Sequence, residues 1–193
     1  MHSLEREDGV NLANRITLTR IFFVPVFIAT LLYYSPERAY LRHVSSIIFL
    51  LACLSDALDG YWARKRNETT ELGSYIDPIA DKLLLLSGFL CLSLMTHLPH
   101  EMHIPAWVTI PIISRDVVIV IGSVIIFFTS GQLKPRPIFV GKITTVVQMV
   151  ALFVSLIMAP PEIRLTLQAV SILFTVWSGI VYVQMGGKMM QKS

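Results

Sequence analysis

Residues 55–82 read SDALDGYWARKRNETTELGSYIDPIADK, a polar stretch that holds four of the chain's six aspartates. It is flanked by apolar sequence: residues 40–54 read YLRHVSSIIFLLACL, and residues 83–86 are four consecutive leucines. Acids crowded at the adjoining ends of two apolar runs, with only Asn67 to Thr70 as a polar turn between them, predict two antiparallel helices that reach the membrane surface together. The whole chain agrees. Its 193 residues are 54% apolar and only 15% charged, with a mean hydropathy of +0.64, too apolar for an ordinary soluble domain. A span needs about 20 apolar residues, so the expected fold is all-α and polytopic, with about six transmembrane helices and no separate soluble catalytic domain. Chemistry must then sit on the spans or on their short connections.

Apolar runs fall at 16–34, 40–63, 75–97, 105–129, 138–159 and 165–185. Pro36, Pro99, Pro105, Pro135, Pro137, Pro160 and Pro161 mark the boundaries, where a missing backbone donor costs least. The reading divides the chain into an N-terminal segment 1–14, a six-helix membrane catalytic domain 15–187 and a tail 188–193, with Gly186-Gly187 as a helix stop. The acidic start, with Glu5, Glu7 and Asp8, does not suit a signal peptide, so the first span is expected to remain in the mature protein. Cys53 and Cys91 lie inside apolar runs and read as small packing residues. The net charge of +3 is spread over loop ends, which suits anionic lipid headgroups and not nucleic acid.

Within residues 55–82, Asp56 and Asp59 are spaced i, i+3 and Asp77 and Asp81 i, i+4, so each pair shares one helical face. Four carboxylates converging on one point repel one another unless cations intervene. An all-oxygen donor set suits magnesium or manganese. Two such ions about 4 Å apart form a clamp for displacement at phosphorus. Gly60, Ala63 and Gly73 remove side-chain bulk beside the acids, and Arg64, one turn after Gly60, can meet a phosphate. An interfacial ion-pair cluster with Arg64, Lys65, Arg66 and Lys82 would explain one acid pair, but not four aspartates with two glycines and an arginine in register.

The spacing Asp56, Asp59-Gly60, Ala63-Arg64, Gly73, Asp77, Asp81 resembles the signature of the CDP-alcohol phosphatidyltransferase family at every fixed position. The resemblance implies a membrane enzyme that attacks the β-phosphorus of a CDP-linked lipid or alcohol, releases CMP and forms a phosphodiester. It assigns Asp56, Asp59 and Asp77 to the metal ions, with Asp81 also touching a metal and acting as general base for the incoming hydroxyl. Asp59, Gly60, Ala63, Arg64 and Gly73 match positions that hold the CDP moiety, and Asn14, Thr17 and Arg20 resemble a family pattern near the nucleotide. A homodimer is an arrangement common in the family.

For the acceptor, Arg115 lies well inside the fourth span, where it needs a partner or a ligand. Asp116, about 100° away round a helix, is expected to be a poor direct partner. Arg115 with Lys142, and more loosely Lys134 and Arg136, would form a basic pocket for a phosphorylated acceptor. The segments DPIADK, SRD and GKITTVVQ resemble phosphatidylglycerophosphate synthases, which use glycerol 3-phosphate, while LKPRPIFVGKITTVVQ fits CDP-lipid-dependent cardiolipin synthases equally well. The leading expectation is transfer of phosphatidyl from CDP-diacylglycerol to glycerol 3-phosphate. The alternatives are cardiolipin synthesis from phosphatidylglycerol and, in another class, a divalent-cation transporter. His97, His100 and His103 with Glu101 have a spacing that would suit a metal on a helix, but Pro99 interrupts it.

Orientation follows from the basic residues, because cytoplasmic connections carry the excess. Eleven Lys and Arg fall on one side and three, Arg38, Arg42 and Arg164, on the other. Both termini and the aspartates are therefore expected to face the cytoplasm, in the cell's inner (plasma) membrane. Cysteines introduced at Asn67 and Gln132 should label from the cytoplasm and one at Glu101 only from outside. Labelling of position 67 from the outer face would overturn this orientation.

Overall fold

The computed structural model describes the backbone of residues 12–66, 71–130 and 139–190, and the side-chain surroundings of 22–55, 82–122, 139–185 and 187. Among these residues there are six α-helices and no strand. They are α1 (Leu12–Leu32), α2 (Tyr40–Arg66), α3 (Glu71–Leu94), α4 (Ala106–Ser130), α5 (Phe139–Leu156) and α6 (Pro161–Met190). Each coincides with one of the apolar runs to within a few residues. A 3₁₀ turn, Pro36–Arg38, links α1 to α2. Phe139–Leu156 and Pro161–Met185 are long and apolar enough to cross a bilayer, while Phe22–Leu32, Tyr40–Ser55 and Lys82–Leu94 are shorter apolar stretches.

The chain forms two compact units, residues 1–91 and 92–193. In the first, α1 packs on α2 through Phe27, Leu31, Phe49 and Ala52, all buried, and the Phe27 and Phe49 rings meet with centroids 5.9 Å apart. Ser45 and Ser46, also buried, turn their hydroxyls back onto the Arg42 carbonyl at 2.8 Å each, so neither takes an unpaired polar atom into the packing.

In the second unit α6 packs against both α4 and α5. The unit's buried faces combine apolar residues such as Ala151, Leu152 and Leu156 with an unusual share of polar ones. The outward side of α6 carries Leu173, Val176, Trp177, Ile180 and Val183, each half exposed or more, while Gln168, Ser171, Thr175 and Ser178 are buried. The buried face of α5 includes Gly141, Thr144, Gln148 and Ser155. Between these faces runs a ladder of hydrogen bonds. Gln148 Nε2 donates to Thr175 Oγ1 at 2.9 Å, Gln168 Nε2 to Ser155 Oγ at 3.4 Å, and Thr144 Oγ1 lies 3.2 Å from the Phe174 carbonyl. Where lipid surrounds a helix pair, burying apolar surface gives little drive to associate, and small or hydrogen-bonding residues supply the specificity instead.

The turn between α5 and α6 is a Schellman motif. Ala159 N–H donates to the Val154 carbonyl at 2.9 Å and Met158 N–H to that of Ser155 at 3.2 Å, with Met158 left-handed at φ 54°. Pro160 and Pro161 follow, and Pro161 opens α6, where a missing donor does no harm. Arg164 then ties the turn down, donating from Nε to the Ala159 carbonyl at 2.9 Å and from Nη1 to the Glu101 carbonyl. At its other end α6 runs on through Gly186-Gly187 to Met190, so the expected stop there is not observed. Each glycine costs a helix about 1 kcal/mol, a penalty that a 30-residue helix packed on two neighbours absorbs.

Met158 holds a conformation that costs an L-residue roughly 1–2 kcal/mol. Met158→Gly should therefore raise the midpoint of thermal unfolding in detergent, with a net gain of about 0.5–1 kcal/mol after glycine's extra chain entropy. Arg164→Ala, which removes two charge-assisted bonds at a part-exposed site, should lower it by about 1 kcal/mol.

Candidate active site

The motif residues divide between two helices. Asp56, Asp59, Gly60, Ala63 and Arg64 lie on the C-terminal three turns of α2, and Gly73, Asp77 and Asp81 on the first three turns of α3. At 100° per residue, Asp56 and Asp59 occupy register positions about 60° apart, and Asp77 and Asp81 about 40° apart. The backbone thus keeps each pair on one side of its helix. The side chains of all eight residues, and the turn 67–70, lie outside the described residues, as do the contacts of Asn14, Thr17 and Arg20. The donor chemistry of the motif, four carboxylates without thiol or imidazole, fits a hard divalent cation.

The second cluster is fully described. Arg115, on α4, is buried, with its side chain 6% exposed. Nη1 donates to Asp116 Oδ1 at 2.8 Å, Nη2 donates to Ser178 Oγ at 2.6 Å, and the guanidinium carbon lies 5.4 Å from the centre of the Tyr182 ring. The expectation that Asp116 would be a poor partner is thereby corrected. The 100° between neighbouring Cβ directions describes where the two side chains start, but an arginine stem is long and flexible enough to bring its end back to the adjacent carboxylate. That pair neutralises the charge in a place where an isolated cation would be strongly destabilising.

Three further residues complete the cluster, none of them singled out in the sequence. Ser178 and Tyr182 are i, i+4 on α6, so both face Arg115 from one side. Gly141 on α5 lies against Tyr182 and Arg115. A Cβ there would stand 3.0 Å from Tyr182 Oη and 3.3 Å from Arg115 Nη2. The one sequence signal was the four-residue spacing of a hydroxyl and an aromatic in a polar-striped helix, and it is weak by itself. An open groove of about 400 Å³ between α4 and α6 passes the cluster, lined by Arg115 among apolar side chains such as Val118, Val176 and Ile180.

Lys142 follows Gly141 and is exposed, so its backbone runs beside the arginine. Lys134 and Arg136 lie outside the described residues. His97, His100 and His103 fall on turns between α3 and α4, where Met102 N–H donates to the Pro99 carbonyl and His103 N–H to that of His100. Among the described residues no three His, Cys, Asp or Glu side chains are grouped to hold a metal ion.

Comparison with known proteins bears directly on the motif. The chain is 36% identical over 176 residues to a Mycobacterium tuberculosis protein named "Probable phosphatidylglycerophosphate synthase", covering 90% of this chain and 80% of the relative. It is 33% identical to a CDP-diacylglycerol--glycerol-3-phosphate 3-phosphatidyltransferase of Bacillus subtilis, over 73% of this chain and 74% of that one. A protein of the same name from Blochmanniella floridana is 30% identical over 90% of this chain and 89% of its own. The family pattern described as CDP-alcohol phosphatidyltransferase matches residues 10–177, from the start of α1 to the middle of α6, and so takes in both the aspartate motif and Arg115. The chain belongs to the CDP-alcohol phosphatidyltransferase family and is an enzyme of that family.

Proposed function

We propose that this enzyme is a phosphatidylglycerophosphate synthase, transferring the phosphatidyl group of CDP-diacylglycerol to glycerol 3-phosphate and releasing CMP. The observation that carries the reading is Arg115, a buried guanidinium with Lys142 on the adjoining stretch of α5, in a chain whose similar proteins bear names specifying glycerol 3-phosphate. A phosphomonoester acceptor brings a dianion that needs cations to meet it. Neither cardiolipin synthesis nor cation transport is favoured by those names.

Dependence on a divalent metal comes with the family. In this reading Asp56, Asp59 and Asp77, with Asp81 shared, hold two ions, Mg²⁺ or Mn²⁺. Bound there, they supply charge neutralisation on the pyrophosphate and on departing CMP. Asp59, Gly60, Ala63, Arg64 and Gly73 hold the CDP moiety, the small residues letting it approach the backbone and Arg64 pairing with a phosphate. Asp81 accepts the proton of the acceptor hydroxyl. The hydroxyl oxygen then bonds to the lipid-bearing phosphorus, and the bond from that phosphorus to CMP breaks. Arg115 and Lys142 hold the phosphate of glycerol 3-phosphate through charge-assisted hydrogen bonds.

The same reading places residues 15–187 in the membrane as six spans between a cytoplasmic segment 1–14 and a cytoplasmic tail 188–193, with the site opening to the cytoplasm of the inner membrane, and the enzyme working as a homodimer among membrane lipids. The deciding assay offers the purified protein CDP-diacylglycerol with each candidate acceptor and follows CMP release. Consumption of phosphatidylglycerol with no use of glycerol 3-phosphate would replace the proposal with cardiolipin synthesis.

Two sets of variants test the roles. Asp81→Asn should abolish turnover while largely sparing CDP-diacylglycerol binding, whereas Asp56→Asn and Asp77→Asn should weaken donor binding and shift the metal dependence together. Near-normal turnover in Asp81→Asn would remove it as the base. Arg115→Gln should raise the KM for glycerol 3-phosphate far more than that for CDP-diacylglycerol. Hydrogen bonds to charged groups are worth roughly 1.5–3 kcal/mol, which corresponds to about 10- to 150-fold.

A further inference from the structure

We propose that Ser178 and Tyr182 of α6, backed by Gly141 of α5, are positioning residues that aim the Arg115 guanidinium at the phosphate of the acceptor. The inference rests on the reading of Arg115 given above and adds the part of the chain that makes it work. A free arginine side chain has four rotatable stem bonds and would have to be ordered by each ligand it binds, at an entropic cost. Here it is ordered beforehand. Asp116 holds Nη1, Ser178 holds Nη2, and the Tyr182 ring covers one face, so the plane and rotation of the fork are set from two sides.

Two observations distinguish this seat from an arginine that merely braces the bundle. The first is the Nε–H group, which is buried and has no hydrogen-bond partner. A bracing arginine is expected to have its buried donors filled. With both Nη atoms engaged by the protein, the open Nε–H is a donor available to an oxygen that arrives later. The second is Gly141. A single methyl group there would press on both Tyr182 Oη and Arg115 Nη2, at 3.0 and 3.3 Å, so the absence of a side chain lets α5 and α6 close on the guanidinium together. It also brings the backbone of Lys142, the other proposed phosphate contact, beside Arg115. The seat is thus built by three helices, and α6 contributes to recognition of the acceptor without touching it.

The test uses the purified full-length enzyme with CDP-diacylglycerol and glycerol 3-phosphate each varied in turn. Ser178→Ala and Tyr182→Leu should each raise the KM for glycerol 3-phosphate about tenfold, the equivalent of one charge-assisted hydrogen bond. The KM for CDP-diacylglycerol should stay within about twofold of the parent's, since such a change lies inside a few tenths of a kcal/mol. Ser178→Thr and Tyr182→Phe, which keep the hydroxyl and the ring respectively, should recover acceptor affinity. Gly141→Ala, which displaces the cluster by a few tenths of an ångström without removing any contact group, should shift the acceptor KM in the same direction. It keeps the proposal testable if either deletion variant fails to fold. Equal changes in both KM values, a loss confined to kcat, or no recovery in the conservative variants would overturn it. If those outcomes appear while Arg115→Gln still raises the acceptor KM, the α6 seat falls and the acceptor reading stands. An Arg115→Gln enzyme with unchanged acceptor KM overturns both.

Discussion

A cation removed from water must take its counter-charge and its hydrogen-bond acceptors from the protein around it, and in the second unit that requirement organises three helices around Arg115. Its carboxylate is the next residue on α4, its hydroxyl acceptor is 63 positions later on α6, and the backbone that closes over it belongs to a glycine of α5. Each partner is polar or small in a segment otherwise made for an apolar setting. The arginine takes partners from α4 and α6 at once, and a side chain at residue 141 of α5 would press on the ends of both Tyr182 and Arg115. Local charge chemistry and helix packing are here a single constraint.

The same logic continues along the α5–α6 interface, where Gln148 with Thr175 and Ser155 with Gln168 pair beside the buried Leu152 and Leu156. The outward face of α6 carries Leu173, Trp177 and Val183. In hydrocarbon a buried amide has no water to return to, so its loss of a partner is felt directly. Association then depends on which polar atoms meet, and less on how much apolar area is covered.

The helices were legible because they are long and apolar and several of their boundaries carry prolines, although Pro25 and Pro111 lie inside α1 and α4, and α2, α4 and α5 begin within a residue of their apolar runs. The aspartate motif stood out for a different reason: its acids keep fixed spacings on α2 and α3 and the family pattern covers them, while their side chains lie outside the described residues. The Arg115 seat was not legible. Its α6 members are remote in sequence, and Ser178 and Tyr182 look like ordinary small and aromatic residues of a membrane helix until the fold brings them to α4. The sequence reading also failed on Asp116 because it counted helical angles and ignored the length of the arginine stem. It failed on Gly186-Gly187 because it treated low propensity as a stop when the tertiary contacts of α6 override it.

The hydrogen-bond ladder between α5 and α6 has a mechanical consequence. Its rungs on α6 are Gln168, the Phe174 carbonyl and Thr175, so a slide of α6 along α5 by a fraction of a turn would stretch all three at once. The interface therefore resists axial sliding along its bonded stretch. The helix so keyed to α5 is the same one whose Ser178 accepts from the arginine of α4, so the register of one helix pair sets the partner of a charge on a third helix.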